Sequence, residues 1–473
     1  MERLSALDAA FIYGETPAWH MHAGAIMVFD PSTASPPLTV ERVRELLWAR
    51  VGQLGLFRKR LVEVPFGLDR PYWVLDPDLD VDAHVRAVGV PSPGGPRELA
   101  RLAGDLFESK LDRSRPLWEI WFIEGLADGR VALLPKVHHA LTDGMRGAAL
   151  YEVLFDTDPD APLERPGPTP EPPERVPSEW ELTARALVSL AATPVRAART
   201  IAHLLGSGLG LARFTRTPAW ERATLPFQAP RTSLNQPITP RRAVAFCTVP
   251  LSGVKRIKDA FGVTVNDVIL AMCAGSLRRY LSERGELPEQ PLVAEVPVGL
   301  RVQTPRGEQP AGGNFVSVIG ARLCTNVGDP VERLQLIHES AESAKEMLHV
   351  VGDAIVMDAA RALPPPVVAA GVRAYVTLRL AEHHPPIFNL IVSNVRGPSF
   401  PLYAAGARLV ASYPIGPLLD GGGLNVTVMS YCDSVDLGVA VCPDVVEDPW
   451  VIADGIRDSF EGLLAAVPAA ESA

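Results

Sequence analysis

Seven consecutive residues, His138-His139-Ala140-Leu141-Thr142-Asp143-Gly144, bring together two imidazoles, a carboxylate and a glycine in the spacing HHxxxDG. A neutral imidazole near physiological pH can remove the proton of a hydroxyl group while that oxygen attacks a carbonyl carbon. The segment therefore predicts acyl transfer in which one histidine acts as the general base.

The neighbouring residues indicate how this segment is held. Val131 to Val137 is apolar on both faces, as in a central strand, and Met145 to Phe155 has the pattern of a helix. Successive side chains of a strand point to opposite faces, so we expect one histidine to face a cavity and the other to pack inside. Asp143 either orients a histidine, as in a catalytic triad, or holds another segment by pairing with an arginine.

Other kinds of site fit the sequence less well. No G-x-S-x-G nucleophile motif occurs, which favours direct transfer without an acyl-enzyme intermediate. The histidine spacing is not H-E-x-x-H and no cysteine or carboxylate cluster lies beside it, so no metal site is predicted. His20 and His22 can share one face of a strand, but such pairs are mostly structural, and they are not interpreted as metal ligands.

The composition is that of a globular protein with an ample core. The chain of 473 residues exceeds the usual limit for one hydrophobic core, which favours two domains. A net charge of −10 argues against nucleic acid as a partner. The five scattered cysteines form no C-x-x-C pair and the N-terminus lacks signal-peptide features, so we expect reduced thiols and a cytoplasmic location. No uninterrupted apolar run reaches the length of about 20 residues that a transmembrane helix needs.

Proline content divides the chain into three segments. Residues 1–155 and 227–473 are predicted to form two mixed domains, joined by a proline-rich linker and helical crossover over residues 156–226. Within the crossover, Trp180 to Phe214 combines apolar residues at helical spacing with a basic face formed by Arg185, Arg196, Arg199 and Arg213. Such a helix either covers a core or binds an anionic lipid surface. The expected strands are residues 23–29, 131–137, 293–298, 315–323, 388–393, 426–430 and 435–441, and the expected helices are residues 40–51, 98–111, 265–284 and 330–350.

Motifs along nearly the whole chain resemble the bacterial wax ester synthase/diacylglycerol acyltransferase family. This family belongs to the CoA-dependent acyltransferase superfamily, with chloramphenicol acetyltransferase and peptide-synthetase condensation domains. The HHxxxDG segment is shared across the superfamily, whereas the other motifs together resemble the family itself. These are Leu4 to Phe11, Arg115-Pro116-Leu117-Trp118, Pro230-Arg231-Thr232, Val265 to Ala271, Ser393-Asn394-Val395 with Gly397-Pro398, and Leu424-Asn425-Val426. Arg396, where the family usually has proline, and Met145-Arg146 depart from the pattern and bear on substrate preference.

The resemblance implies an α/β fold (an α+β sandwich) of two chloramphenicol-acetyltransferase-like domains, with mixed sheets and an active-site tunnel at their interface. It implies transfer of a long-chain acyl group from acyl-CoA, a co-substrate and not a bound cofactor, to a diacylglycerol or a fatty alcohol. It also implies that His139 is the base and that Asp143 is structural. The residues expected to support the site are His138, Gly144, Asn266, Asp267, Ser393 and Asn394.

Several alternatives stay open from the sequence. Asn266, Ser393 or a backbone N–H could stabilise the oxyanion, while Asn266-Asp267 could equally cap a helix. A condensation-type enzyme with another acyl donor is one rival function, although no carrier domain is fused within these residues. A non-catalytic lipid-surface protein is another, against which the intact motif counts. Because the implied substrates partition into lipid, we expect peripheral association with the inner membrane or lipid droplets.

Overall fold

The computed structural model describes residues 1–141, 151, 154–163, 174–191, 215, 224–299, 316–351 and 363–468. The strands of this part of the chain are β1 (Glu2–Arg3), β2 (His22–Asp30), β3 (Lys59–Val62), β4 (Tyr72–Leu75), β5 (Val85–Gly89), β6 (Trp118–Glu124), β7 (Val131–His138), β8 (Ala243–Pro250), β9 (Val293–Gly299), β10 (Val316–Arg322), β11 (Leu390–Arg396), β12 (Tyr403–Ala404), β13 (Ala407–Ile415), β14 (Leu424–Tyr431) and β15 (Ser434–Val441). Its helices are α1 (Ala6–Gly14), α2 (Val40–Arg50), α3 (Val81–His84), α4 (Pro96–Glu108), α5 (Glu179–Ala191), α6 (Leu251–Phe261), α7 (Val265–Glu283), α8 (Pro330–Val351), α9 (Pro365–Thr377) and α10 (Pro449–Ala465).

The first sheet has the strand order β12-β13-β2-β7-β6-β5 and is antiparallel except for the parallel pair β5 and β6. Its central strand β7 is buried on both faces, which explains its largely apolar sequence. On one face, Leu134 packs with Leu99 and Phe107 of α4. On the other face, Leu133 packs with Leu46 of α2 in a second apolar cluster.

The second sheet has the strand order β10-β9-β11-β14-β15-β8, with β9, β11 and β14 running parallel. Helices α7 and α10 pack together over one face of this sheet. The other face is turned toward the first domain, and β13 crosses it over β14 and β15. Gly438 marks this crossing, because a side chain there would collide with the carbonyl oxygen of Pro414.

Strands β12 and β13 show that the two domains are not separate stretches of chain. Residues 403–415 fall in the predicted second segment, yet β13 pairs with β2 of the first sheet, from Arg408 opposite Asp30 to Ile415 opposite Gly24. This insertion was not predicted, because the pairing joins residues far apart in sequence. Asp436 holds the inserted strand by accepting a hydrogen bond of 2.9 Å from the amide of Ser412.

The predicted α/β class with mixed sheets is confirmed, and each predicted strand and helix in the described residues is present with shifts of a few residues at its ends. The proposed linker is anchored at its start, where Asp156 binds Arg50 and pairs with the backbone of Tyr403. Most of Trp180 to Phe214 lies outside the described residues, apart from α5. Among the described helices, none alone has the length and hydropathy to cross a membrane; only α6 and α7 taken together, bent by 101°, meet those criteria.

Candidate active site

The histidine motif begins at the end of β7, in the centre of the first sheet. β7 pairs with β2 in antiparallel register, which places His138 directly opposite His22. The next amide, that of His139, donates a hydrogen bond of 2.8 Å to the carbonyl oxygen of Met21. Met21 has a φ of 51°, in the left-handed region that costs roughly 1–2 kcal/mol for a residue with a Cβ atom. The motif therefore rests on a strained backbone segment just before β2.

His138 is enclosed by protein. Its side chain is 1% exposed, and its Nδ1 accepts a hydrogen bond of 3.1 Å from the amide of Ala140. Burial, reinforced by the nearby charge of Arg113, lowers the pKa of His138 to about 3. The ring is therefore neutral at physiological pH and supports the turn that follows it.

His139 lies in different surroundings. Its residue is partly exposed, and its ring meets that of Phe11 edge-on at a centroid distance of 5.0 Å. Phe11 belongs to α1, which Ser5 caps by accepting a hydrogen bond from the amide of Asp8. The opening element of the sequence thus builds the helix that borders His139.

The two histidines are separated as strand geometry predicts. His138 shares a face of the first sheet with His22, and the preceding residue on that face, Lys136, binds backbone carbonyls at the end of α4. The ring of His139 lies instead against α1. Asp143 and Gly144, the other motif residues expected at the site, lie outside the described residues.

The site residues predicted on β11 lie on opposite faces of the second sheet. Asn394 donates a weak hydrogen bond of 3.5 Å to Asn266 at the start of α7. Ser393, its neighbour on β11, points to the opposite face, because side chains alternate along a strand. Ser393 lies in register with Thr427, on the face that β13 crosses. The neighbouring Val395 packs with the apolar cluster that contains Ala140 and Leu141 of the motif.

Asp267 has a structural position. Thr264 caps α7, and the carboxylate of Asp267 accepts hydrogen bonds from the amide and the hydroxyl of Thr264, which completes a capping box. The same carboxylate accepts a hydrogen bond of 2.7 Å from Nδ1 of His338 on α8. The predicted cap is therefore present, but Thr264 supplies it, and Asp267 is fully buried among these partners.

Sequence reasoning undervalued three polar residues. The sequence favours a structural role for His20 and His22, and the structure places them beside the motif, with His22 as the first residue of β2 and His20 just before that strand. Glu295 of β9 was not singled out; its Oε2 is buried without a hydrogen-bond partner, and burial raises its pKa to about 7. A charged residue inside the apolar run 292–298 was the available signal. Among the described residues, no group of three His, Cys, Asp or Glu side chains could hold a metal ion.

Comparison with known families decides between the possible classes. The wax ester synthase/diacylglycerol acyltransferase catalytic domain matches residues 4–269, and the C-terminal domain of the same family matches residues 312–464. The chain belongs to this family. It is therefore an acyltransferase of the wax ester synthase/diacylglycerol acyltransferase type, and the resemblance seen in the sequence motifs is confirmed.

Individual relatives agree with this assignment. A putative diacylglycerol O-acyltransferase of Mycobacterium tuberculosis is 38% identical over 98% of this chain and 90% of its own length. The solved wax ester synthase/diacylglycerol acyltransferase of Marinobacter aquaeolei is 30% identical, with a TM-score of 0.66 and 98% of both chains covered. A condensation domain of the CDA synthetase covers 100% of this chain at a TM-score of 0.57, but at 16% identity it supports the fold alone.

Proposed function

We propose that this acyltransferase moves a long-chain acyl group from acyl-CoA to the free hydroxyl of a diacylglycerol, with fatty alcohols as secondary acceptors and His139 as the general base. The observation that carries the proposal is the placement of His139: the residue is partly exposed and its ring lies beside α1, while His138 is enclosed. The names of the mycobacterial relatives favour diacylglycerol, and that of the Marinobacter enzyme adds wax esters.

The chemistry needs one group that first accepts a proton and later donates it. His139 takes the proton of the acceptor hydroxyl as its oxygen forms a bond to the thioester carbonyl carbon. The tetrahedral intermediate then collapses, the carbon–sulfur bond breaks, and the imidazolium returns the proton to the departing CoA sulfur. No acyl-enzyme intermediate is needed, because the two substrates react directly.

Ser393 is the side chain that we propose for the oxyanion. It occupies the face of the second sheet that β13 crosses, whereas Asn266 contacts Asn394, whose side chain lies on the opposite face. Loss of one oxyanion donor typically lowers kcat by about 10²–10³-fold. We expect Ser393→Ala to show a loss in that range and Asn266→Ala a smaller one. The opposite ranking in purified, folded variants would assign the oxyanion to Asn266.

The function itself is tested by measuring CoA release and ester formation from palmitoyl-CoA with a panel of acceptors. We expect stoichiometric CoA and triacylglycerol with dioleoylglycerol, slower ester formation with hexadecanol, and no amide with hexadecylamine. Turnover only with a carrier-bound acyl donor would support a condensation-type enzyme. No CoA release with any acceptor would support a non-catalytic lipid-surface protein.

The same proposal places the enzyme at a lipid surface, because its substrates partition there. One stripe of α5 packs inward through Leu182 and Ala186 against a small third sheet, which has the strand order β1-β4-β3. The opposite stripe, at positions 180, 184, 187, 188 and 191, is exposed and apolar, and Trp180 is 83% exposed. Phe66, 91% exposed, projects from a turn that contacts both α5 and α9. Exposed apolar stripes of this kind insert into the headgroup region of membranes.

Flotation with vesicles of phosphatidylcholine and phosphatidylglycerol tests the lipid contact. We expect Trp180→Ser with Leu187→Gln and Val188→Gln to bind such vesicles weakly while keeping turnover on short, dispersed substrates. Phe400→Gln, at another exposed aromatic residue, is the matched control and should float like the wild type. Wild-type flotation of the triple variant would move the lipid contact away from α5.

A further inference from the structure

Three imidazoles lie in a row behind the motif, on the face of the first sheet that is turned away from His139. The rings of His20 and His22 are 5.3 Å apart between centroids, and those of His22 and His138 are 6.3 Å apart. His20 and His22 are each 3% exposed, so all three rings are enclosed. Four of their ring nitrogens have no hydrogen-bond partner: Nδ1 of His20, Nδ1 and Nε2 of His22, and Nε2 of His138.

The contacts at the two ends of the row determine which nitrogens carry protons. Nδ1 of His138 accepts the amide hydrogen of Ala140, so in the neutral ring the proton is on Nε2. The backbone of Pro17 and that of Phe107 both interact with the ring of His20, and the close contact is that of Nε2, 2.5 Å from the carbonyl oxygen of Pro17. A carbonyl oxygen can only accept, so in the neutral ring we assign the proton to Nε2 and the lone pair to Nδ1. The row therefore ends in a free donor at His138 and a free acceptor at His20.

His22 has the two groups that complete such a row. A neutral imidazole has one donor and one acceptor nitrogen, which match the acceptor of His20 and the donor of His138. Burial lowers the pKa of His20 to about 4 and that of His22 well below its usual value, so these rings are neutral. Lys136, the cation that most lowers the pKa of His22, is bound by Glu119 and by the backbone carbonyls of Leu106 and Ser109 at the end of α4.

A water can close the gap between His20 and His22. A small cavity beside these two rings is lined by both of them and by Arg242, together with apolar residues that include Met21, Phe107 and Leu418. Polar cavities of about one water volume are normally filled in proteins, and buried polar atoms are rarely left without a partner. Arg242 donates to the carbonyl oxygens of Ala18, Thr239 and Arg241, and the unpartnered nitrogens of His20 and His22 can bind a water there.

We propose that His22 joins His20, through a bridging water, and His138, at the paired position of β7, into a one-directional hydrogen-bonded chain that positions the turn carrying His139. The chain runs from the amide of Ala140 through the three rings to the carbonyl oxygen of Pro17. Residues 20–22 also contact this turn at a second point. The carbonyl oxygen of Met21, between His20 and His22, accepts the amide hydrogen of His139. His22 is therefore a positioning residue, and its effect on turnover rests on the acyl transfer proposed above.

Replacement of His22 separates positioning from packing. Misplacing a reacting group by about 1 Å can cost about 100-fold in rate, so we expect His22→Leu to lower kcat by about 10- to 100-fold with little change in the KM for acyl-CoA. His22→Gln keeps one donor and one acceptor and should restore most of the turnover. His84→Leu is the matched control: this buried histidine bonds the carbonyl of Trp118, so its loss should lower Tm and leave kcat unchanged. Wild-type kcat in folded His22→Leu would overturn the proposal.

The tautomers can be observed without an activity measurement. Long-range ¹H–¹⁵N spectra of wild-type protein labelled in its histidine rings should show His138 and His20 neutral with the proton on Nε2, assigned with His138→Gln and His20→Gln. A proton on Nδ1 of His138, or a charged ring at pH 7, would overturn the chain even if His22→Leu does not fold. If the enzyme released no CoA while both tautomers were as expected, acyl transfer would be wrong and the chain would stand.

Discussion

His138 and His139 are adjacent and chemically identical, but the first sheet gives them opposite surroundings. His138 faces an interior where burial lowers its pKa to about 3, and it shares that interior with His20 and His22. His139 lies partly exposed against Phe11 of α1. The comparison shows that the face of a strand end, more than the residue type, decides whether a histidine is enclosed or partly exposed.

The largest expected effect falls on the exposed side of this comparison. His139→Ala should lower kcat by about 10²–10⁴-fold, the usual contribution of a general base, while Tm stays close to that of the wild type because the ring is only partly buried. CoA release and thermal melting measure the two quantities. Normal turnover in a folded His139→Ala protein would show that His139 is not the general base, and the two histidines would then not differ in function.

Acid should lower the stability of the folded protein through its enclosed histidines. The pKa values of His20 and His138 in the folded protein, about 4 and about 3, lie below the 6.5 of the unfolded chain, so protonation favours unfolding. The free energy of unfolding should fall as the pH drops from 6.5 toward 4, by up to about 1.4 kcal/mol per pH unit for each enclosed ring. Urea unfolding at several pH values across this range measures the effect. The free energy of unfolding should fall less steeply with pH in His22→Gln than in the wild type, and equal slopes in the two proteins would contradict the prediction.

The second sheet offers the reverse case at Glu295. Its folded pKa, about 7, lies above the usual 4.5, so its contribution to stability is present below pH 4.5 and is lost as the pH rises through 7. Glu295→Gln should therefore stabilise the protein by about 1–3 kcal/mol at pH 8, with allowance for partial exposure of the side chain, and have little effect at pH 5. An equal gain at both values would show that ionisation is not the cause.

The smallest expected effect concerns Thr264, the cap that precedes the motif Val265 to Ala271 of the second domain. Thr264→Ala removes the cap of α7 and should lower the free energy of unfolding by about 1 kcal/mol. Because Thr264 is bonded to Asp267 within the cap, kcat should stay unchanged. A clear loss of turnover at unchanged stability would instead connect this cap to the chemistry.

Local patterns in the sequence predicted much of this arrangement. The apolar run before His138 predicted a central strand, and side-chain alternation predicted that only one histidine would be enclosed. The spacing of Thr264 and Asp267 is readable as a capping box, although the cap was placed two residues late. By contrast, the pairing of β13 with β2 and the contact of His22 with His138 join distant residues. Such contacts depend on register between strands, which neither strand alone encodes.

The crossing of residues 403–415 into the first sheet has a practical consequence for dissecting this enzyme. A fragment that ends at the proline-rich linker would leave the long edge of β2 without its partner, and bare edges of this kind template aggregation. Exchange of amino-terminal halves between relatives would likewise separate β2 from the strand that it was selected to pair with. Chimeras designed to swap acceptor preference should therefore carry β12 and β13 together with the amino-terminal half.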